Sequence, residues 1–167
     1  MDFNYLAVLV AAASTFVVGS IWYHPKVLGT IWMREEGLTQ EDLQKGNMAK
    51  IFGLTFVFAL MISFVMQTLV IHQVGAYNLV GGVSATNVKP SYAAFMADYG
   101  NAYRTFHHGA LHGLVVALFL IFPVLATNGL FSRKSWTLIL IKSGYWMITL
   151  ALVGGIVCGW SKAGFAF

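Results

Sequence analysis

The stretch Phe106-His107-His108-Gly109-Ala110-Leu111-His112-Gly113 begins a long apolar run and holds three of the five histidines of the chain. On a helix, His108 and His112 are four residues apart and share one face. That spacing suits two ligands of one metal ion or a pair of proton carriers. The octet is therefore the first candidate for a functional site.

The composition is that of a membrane protein. The chain has 167 residues, of which 58% are hydrophobic and only 10% are charged, and its mean hydropathy is +0.72. Four apolar runs are long enough to cross about 30 Å of hydrocarbon as helices. These runs cover residues 3–21, 51–71, 105–127 and 136–159. They predict an all-α fold, an integral membrane four-helix bundle that forms a single membrane domain over residues 1–167.

Short helices are also predicted in the connections. Thr39 and Asp42 have the spacing of a helix N-cap and its partner in the first connection. The connection between the second and third runs, residues 73–104, is too long for a simple loop. Aromatic residues recur there at helical spacing after Pro90, which predicts a short amphipathic helix with Ser91 as its N-cap. We interpret it as a helix at the headgroup level, or alternatively as an aromatic cover over a ligand entrance.

Basic residues are distributed unequally between the two sides of a four-span chain. The side of the first and third connections has Lys26, Arg34, Lys45, Lys50, Arg133 and Lys134. The side of the termini and the long loop has Lys89, Arg104 and Lys162. Because cytoplasmic loops are enriched in lysine and arginine, the first side is predicted to be cytoplasmic and both termini to lie outside. The basic residues are scattered along loops, which argues against a nucleic acid partner.

Small residues recur at intervals of four on every predicted span. Such stripes let membrane helices approach each other closely. The candidates for close helix packing are Gly19, Ala59, Gly109, Gly113, Ala117, Gly155 and Gly159, and the last stripe continues to Ala163. An isolated four-helix monomer needs less packing surface than this. We therefore predict a homo-oligomer or a place in a larger membrane complex.

A metal site is one interpretation of the histidines. His72 ends the second run, so the topology places it on the same side as His108 and His112. With His107, four imidazoles are predicted at one level. His108 and His112 are the candidate pair of ligands for zinc or copper, and His72 or Asp98 is the candidate that completes the site. Histidines on opposed helices can also hold a haem, the alternative cofactor. A third interpretation needs no cofactor: His107 and His108 lie in the wet interface, and His112 hydrogen-bonds a neighbouring helix.

Lys142, Gln67 and His112 are the polar residues within the predicted spans that are candidates for a role in the membrane. Lys142 lies about 9 Å inside its run, where a lysine either extends its ammonium back to the surface or finds a polar partner in the bundle. Gln67 favours a hydrogen bond to a neighbouring helix over a role in lining a site. His112 is an ionisable residue within the membrane and the strongest of the three as a functional candidate.

Several motifs follow one another along the whole chain. They are Gly19-Ser-Ile-Trp-Tyr-His-Pro25, Gly29-Thr-Ile-Trp32, the histidine octet, Leu130-Phe131, and Gly144-Tyr145-Trp146. This order resembles a bacterial family of small four-helix membrane proteins, domain-of-unknown-function family 1761. The resemblance implies the fold and a place in the bacterial cytoplasmic (inner) membrane, and it brings no activity with it.

The sequence leaves three classes of function open. We interpret the chain as a structural or accessory subunit of a membrane oligomer or complex, with the lipid bilayer as its surroundings. One alternative is a metal- or haem-binding membrane protein that uses His108 and His112. Another is a small transporter or channel. The chain has no nucleophile elbow and no phosphate-binding glycine loop, and its single cysteine, Cys158, excludes CxxC redox chemistry.

Overall fold

The computed structural model describes residues 4–84 and 86–160. It confirms the all-α fold, because the described residues contain no strand and include four helices long and apolar enough to cross a membrane. In chain order the helices are α1 (Tyr5–Trp22), α2 (Thr30–Glu36), α3 (Gln40–Gln44), α4 (Met48–Val70), α5 (His72–Leu79), α6 (Pro90–Tyr99), α7 (Phe106–Val116), α8 (Phe122–Phe131) and α9 (Trp136–Trp160). The predicted positions Lys162 and Ala163 lie outside the described residues.

The four spans are α1, α4, the continuous helix Phe106–Phe131 and α9. The third span passes the predicted end at residue 127 and contains a π-helical turn, Ala117–Ile121, between α7 and α8. Pro123 supplies a physical reason for this turn. Its ring has no N–H and would clash with the carbonyl four residues earlier, so the backbone widens before it.

The connections contain the predicted helices. At α3, Thr39 Oγ1 accepts from the Asp42 N–H and Asp42 Oδ2 accepts from the Thr39 N–H, which confirms the predicted cap. In the long loop, the cap predicted at Ser91 was wrong. Helix α6 begins one residue earlier, at Pro90, because the fixed φ of proline suits the first turn of a helix. The chain between α4 and α5 breaks at Ile71, where φ is −105° and ψ is 101°.

Helix α9 is the central helix of the bundle. In its most apolar stretch 44% of the residues are buried, compared with 11% in α4 and in the third span. It packs against α1, α4, α7 and α8, and its contact with α7 is the most extensive in the molecule. The other spans therefore assemble around α9 and leave most of their own surface to the lipid.

Glycines bring the backbones of α7 and α9 into direct contact. A Cβ atom added at Gly113 would overlap the carbonyl oxygen of Leu150, and one added at Gly109 would overlap that of Gly154. Gly154, which the predicted stripes missed, would in turn meet the carbonyl oxygen of Gly109. No side chain fits between these two helices at this level.

The other predicted packing residues also face neighbours within the chain. A Cβ at Gly155 would lie 2.6 Å from Phe106 Cε2, and one at Gly159 would lie 2.7 Å from Phe106 N. Ala59 and Ala117 are buried. Gly19 is different, because a Cβ there would make only an ordinary contact, 3.7 Å from Tyr145 Cε2. Since the stripes are used within one chain, they no longer argue for the homo-oligomer, which stays a prediction.

We expect Gly113→Ala to destabilise the protein, by about 1–3 kcal/mol if the helices shift to admit the methyl group. Gly53→Ala is the matched control, because a Cβ at Gly53 meets nothing within 4 Å. In α4 the control should be neutral or slightly stabilising, since alanine is the better helix former. Thermal unfolding in mild detergent measures both. Equal stability of the two variants would contradict the close contact of α7 with α9.

Candidate functional site

Two helices bring three of the predicted site histidines together at one end of the bundle. His72 is the first residue of α5, and His108 and His112 lie on the first turns of α7. The Nε2 atoms of His72 and His108 are 2.9 Å apart. The ring centroids are 4.4 Å apart for His108 and His112, and 5.1 Å apart for His72 and His112. One ring nitrogen from each of the three lies within 4.8 Å of the others.

Local sequence explains this convergence. Thr105 caps α7, with its Oγ1 accepting from the backbone N–H of His108 at 3.2 Å, so the helix starts where His108 and His112 share a face. The break at Ile71 then turns α5 away from the axis of α4 and presents its first side chain, His72, to that face. Among the described residues, the other two candidate ligands, His107 and Asp98, are exposed and lie outside the cluster.

The histidine cluster has the chemistry of a three-nitrogen metal site. Zinc binds imidazole nitrogen at about 2.0–2.1 Å, and tetrahedral ligands at that distance are about 3.3 Å from one another. The Nε2 atoms of His72 and His108 are 2.9 Å apart, and one nitrogen from each of the three rings lies within 4.8 Å of the others. Binding of one ion would bring the three nitrogen atoms to the zinc spacing and leave a fourth position for water or another ligand.

A hollow of about 280 Å³ borders the cluster on the side of His72. Gln73 forms part of its wall and is buried. Its Nε2 donates to the carbonyl oxygens of Tyr99 at 2.8 Å and Ala102 at 2.9 Å, so the end of α6 is fastened to α5. The sequence interpretation missed Gln73, although its position next to His72 was a usable signal.

Tyr103 is held in a strained conformation beside the histidines. Its φ is +61°, in the left-handed region that bulky residues rarely adopt. Its ring centroid lies 5.1 Å from that of His108 and 6.2 Å from that of His72. Nothing in the sequence pattern signals this conformation. Strain of this kind costs on the order of 1–3 kcal/mol and is concentrated at functional sites.

We expect Tyr103→Gly to raise the thermal stability, because glycine adopts a positive φ without a steric cost. Tyr99→Gly is the matched control: it changes another exposed tyrosine of the same segment, the last residue of α6, where there is no positive φ for glycine to relieve and stability should not rise. Thermal unfolding of the two variants beside the wild type gives the comparison. If both variants are destabilised alike, Tyr103 is not strained in solution.

Gln67 and Lys142, the other two polar residues predicted within the spans, have partners on neighbouring elements. Gln67, buried in α4, donates from Nε2 to the carbonyl oxygen of Asn4 at the start of α1, at 3.3 Å. Lys142 of α9 pairs with Glu36, the last residue of α2. This partner comes from the first connection, and the sequence interpretation did not consider it because Glu36 lies outside the predicted spans.

Glu36 links the first connection to the third, at the end of the bundle opposite the histidines. Its Oε1 pairs with Lys142 Nζ, and its Oε2 accepts from Lys134 Nζ at 3.0 Å. Beside it, Ser135 Oγ donates to Glu35 Oε2 at 2.5 Å. We call this set of contacts the loop clamp. Burial alone would raise the pKa of the Glu36 carboxyl, but the hydrogen bonds from Lys142 and Lys134 outweigh burial and lower it.

The loop clamp makes stability depend on pH. Because the pKa of Glu36 is lower in the folded protein, its contribution is complete above the ordinary value of 4.5 and is lost as the pH falls through the folded value. Glu36→Gln should therefore be less stable than the wild type at pH 7, by about 1 kcal/mol, and the gap should close below pH 4.5.

Thermal unfolding of the wild type and Glu36→Gln from pH 7 to pH 3 measures that gap. Glu41→Gln is the control, because it removes an exposed carboxylate of the same connection that pairs with no lysine or arginine among the described residues. A gap between the wild type and Glu36→Gln that is constant across the range would contradict a clamp held by charge.

The four apolar spans, with a polar cluster at each end of the bundle, define a multi-pass α-helical membrane protein. Residues 6–158 match the sequence model of a family described as protein of unknown function (DUF1761). The match covers most of the chain, so the chain belongs to this family, as the motif order predicted. Comparisons with curated proteins and with solved structures found no significant match.

Proposed function

We propose that this membrane protein binds one transition metal ion through His72, His108 and His112. The observation that supports the proposal is the convergence of three imidazoles from two helices, with the Nε2 atoms of His72 and His108 2.9 Å apart. This convergence favours the metal-binding alternative over the structural or accessory subunit.

The packing around the cluster supports a binding role. His108 and His112 are half-buried, and each neutral imidazole offers one nitrogen lone pair as an acceptor. A hydrogen bond between His72 and His108 satisfies one lone pair only. A cation placed between the three rings would satisfy all three nitrogen lone pairs at once.

The donor set limits the choice of metal. Imidazole nitrogen suits zinc and copper among the common ions, and three such ligands with an open position are a known arrangement for zinc. The geometry fits haem less well, because two axial imidazoles must stand on opposite faces of a wide ring. Here the nitrogen atoms of His72, His108 and His112 instead converge on one point.

The accessible position of the site agrees with exchange of metal with the surroundings. His72 is exposed and borders the hollow beneath Tyr99 and Tyr103. We further propose that this end of the bundle faces the outside of a bacterial inner membrane, with both termini. The excess of lysine and arginine in the connections at the opposite end supports this orientation. A partner complex and a transport role are not needed for metal binding.

The test uses protein prepared without a histidine tag in mild detergent. Isothermal titration with Zn²⁺ and with Cu²⁺, together with elemental analysis, should show about one ion per chain. His108→Ala should weaken metal binding by more than about 100-fold. A loss of about 100-fold is the upper end for removing a residue that contacts a ligand but not the metal itself.

His107→Ala is the matched control, because it removes the neighbouring exposed histidine and leaves the cluster intact. It should bind metal like the wild type. The proposal fails if the wild type takes up no stoichiometric metal, or if His107→Ala loses binding as fully as His108→Ala. In the first case the structural or accessory subunit would be the better interpretation.

A further inference from the structure

A second cavity, of about 920 Å³, lies at the end of the bundle opposite the histidines. Residues of α1, α4, α8 and α9 form its walls, and α2 and α3 of the first connection border it. Its volume lies in the range of small-molecule sites, about 300–1,000 Å³. Nothing in the metal proposal involves this cavity.

The walls of this cavity are apolar and reach the lipid. Phe16, Phe52, Leu125 and Trp146 line it, and Phe52 is exposed. Helix α4 packs against α7 but has at most marginal contact with α8, although both α4 and α8 border the cavity. The π-helical turn lies where the third span changes from α7 to α8. The cavity is partly open, and Ile51 and Phe52 of its α4 wall are exposed on the apolar surface of the bundle.

One end of the cavity is polar, and the ion-paired group around Glu36 at that end carries an excess positive charge. Lys142 and Glu36 both line it, and Glu36 is shared with Lys134 from outside the cavity. Two ammonium groups thus face one carboxylate. The neighbouring pair of Arg34 and Glu35 is neutral by itself. Glu36, Lys134 and Lys142 together therefore have one excess positive charge.

Hydrogen-bond donors lie at the same end. Tyr23 lines the cavity beside Glu36, and burial, Tyr145 and Glu36 together raise the pKa of the Tyr23 phenol to about 12. The phenol is therefore protonated at neutral pH and can donate to an anionic group. Lys142 has three N–H donors and uses one of them on Glu36.

We propose that this cavity binds an anionic membrane lipid, with an acyl chain along the aromatic walls and the negative headgroup at Lys142 and Tyr23. This occupant is inferred from the apolar walls, the exposed apolar residues of the α4 wall and the single excess positive charge of Glu36, Lys134 and Lys142. A small polar anion would leave the apolar walls without a partner. A cationic ligand would be repelled by the ammonium group of Lys142, even though aromatic rings line the cavity.

The experiment places the protein in phosphatidylcholine vesicles that contain a minor fraction of one brominated lipid, either phosphatidylglycerol or phosphatidylcholine. Bromine on the acyl chain quenches tryptophan at short range, and Trp32 and Trp146 line the cavity. Wild-type protein should show about fivefold preference for the brominated phosphatidylglycerol, as expected for one lysine near an anionic headgroup. Trp146→Phe should reduce the quenching that depends on phosphatidylglycerol.

Two variants that break the same ion pair should act in opposite directions. Lys142→Gln removes the headgroup ligand and should abolish the preference, whereas Glu36→Gln removes the competing carboxylate and should strengthen it. If a weakened fold were the cause of a change, both variants would shift the preference the same way. Lys45→Gln, which breaks the exposed pair with Asp42 on the same side of the bundle, should leave the preference unchanged.

The proposal is overturned if wild-type protein is quenched equally by the two brominated lipids, or if Lys142→Gln and Glu36→Gln change the preference in the same direction. It is also overturned if Lys45→Gln abolishes the preference as fully as Lys142→Gln, since general attraction to basic loops would then be the cause. His108→Ala should behave as the wild type here. Lipid binding can therefore fail or succeed independently of metal binding.

Discussion

The direct contact between the backbones of α7 and α9 organises the rest of the molecule. Membrane helices gain little from the hydrophobic effect when they pair, so their association depends on close van der Waals packing. Gly109 and Gly113 allow that packing against Gly154 and Leu150. Each glycine follows a histidine by one residue, and one residue is about 100° of helical rotation. The contact with α9 therefore turns His108 and His112 toward a different face, where α5 supplies His72.

The third span contributes to a different site at each end of the bundle, because its packing against α9 changes in the middle. Its first half, α7, lies tightly on α9 and carries the histidines. Beyond the π-helical turn, α8 makes fewer contacts with α9 and borders the lipid-facing cavity. Turns of this type are frequently found at functional sites. In this protein the π-helical turn separates the tightly packed end with the histidines from the loosely packed end with the charged residues of the loop clamp.

Local patterns predicted most of the fold, and long-range contacts account for what they missed. Apolar runs gave the four spans, and the Thr39–Asp42 spacing gave the cap, since both depend on neighbouring residues. The spacing of His108 and His112 is equally local. The approach of His72 depends on the backbone break at Ile71, which no residue pattern announced. The pairing of Glu36 with Lys142 joins residues far apart in the chain, and the positive φ of Tyr103 arises from the tertiary structure around it.

The loop clamp has a consequence for the order in which the protein assembles during synthesis. Glu35 and Glu36 emerge from the ribosome long before Lys134, Ser135 and Lys142, the residues that hold them. Until the last span has entered the bilayer, Glu35 and Glu36 lack the residues that hold α2 against α9. The N-terminal half can thus insert as a helical hairpin, but the loop clamp forms only when the chain is almost complete. Closure of the clamp is then a late marker of correct membrane assembly.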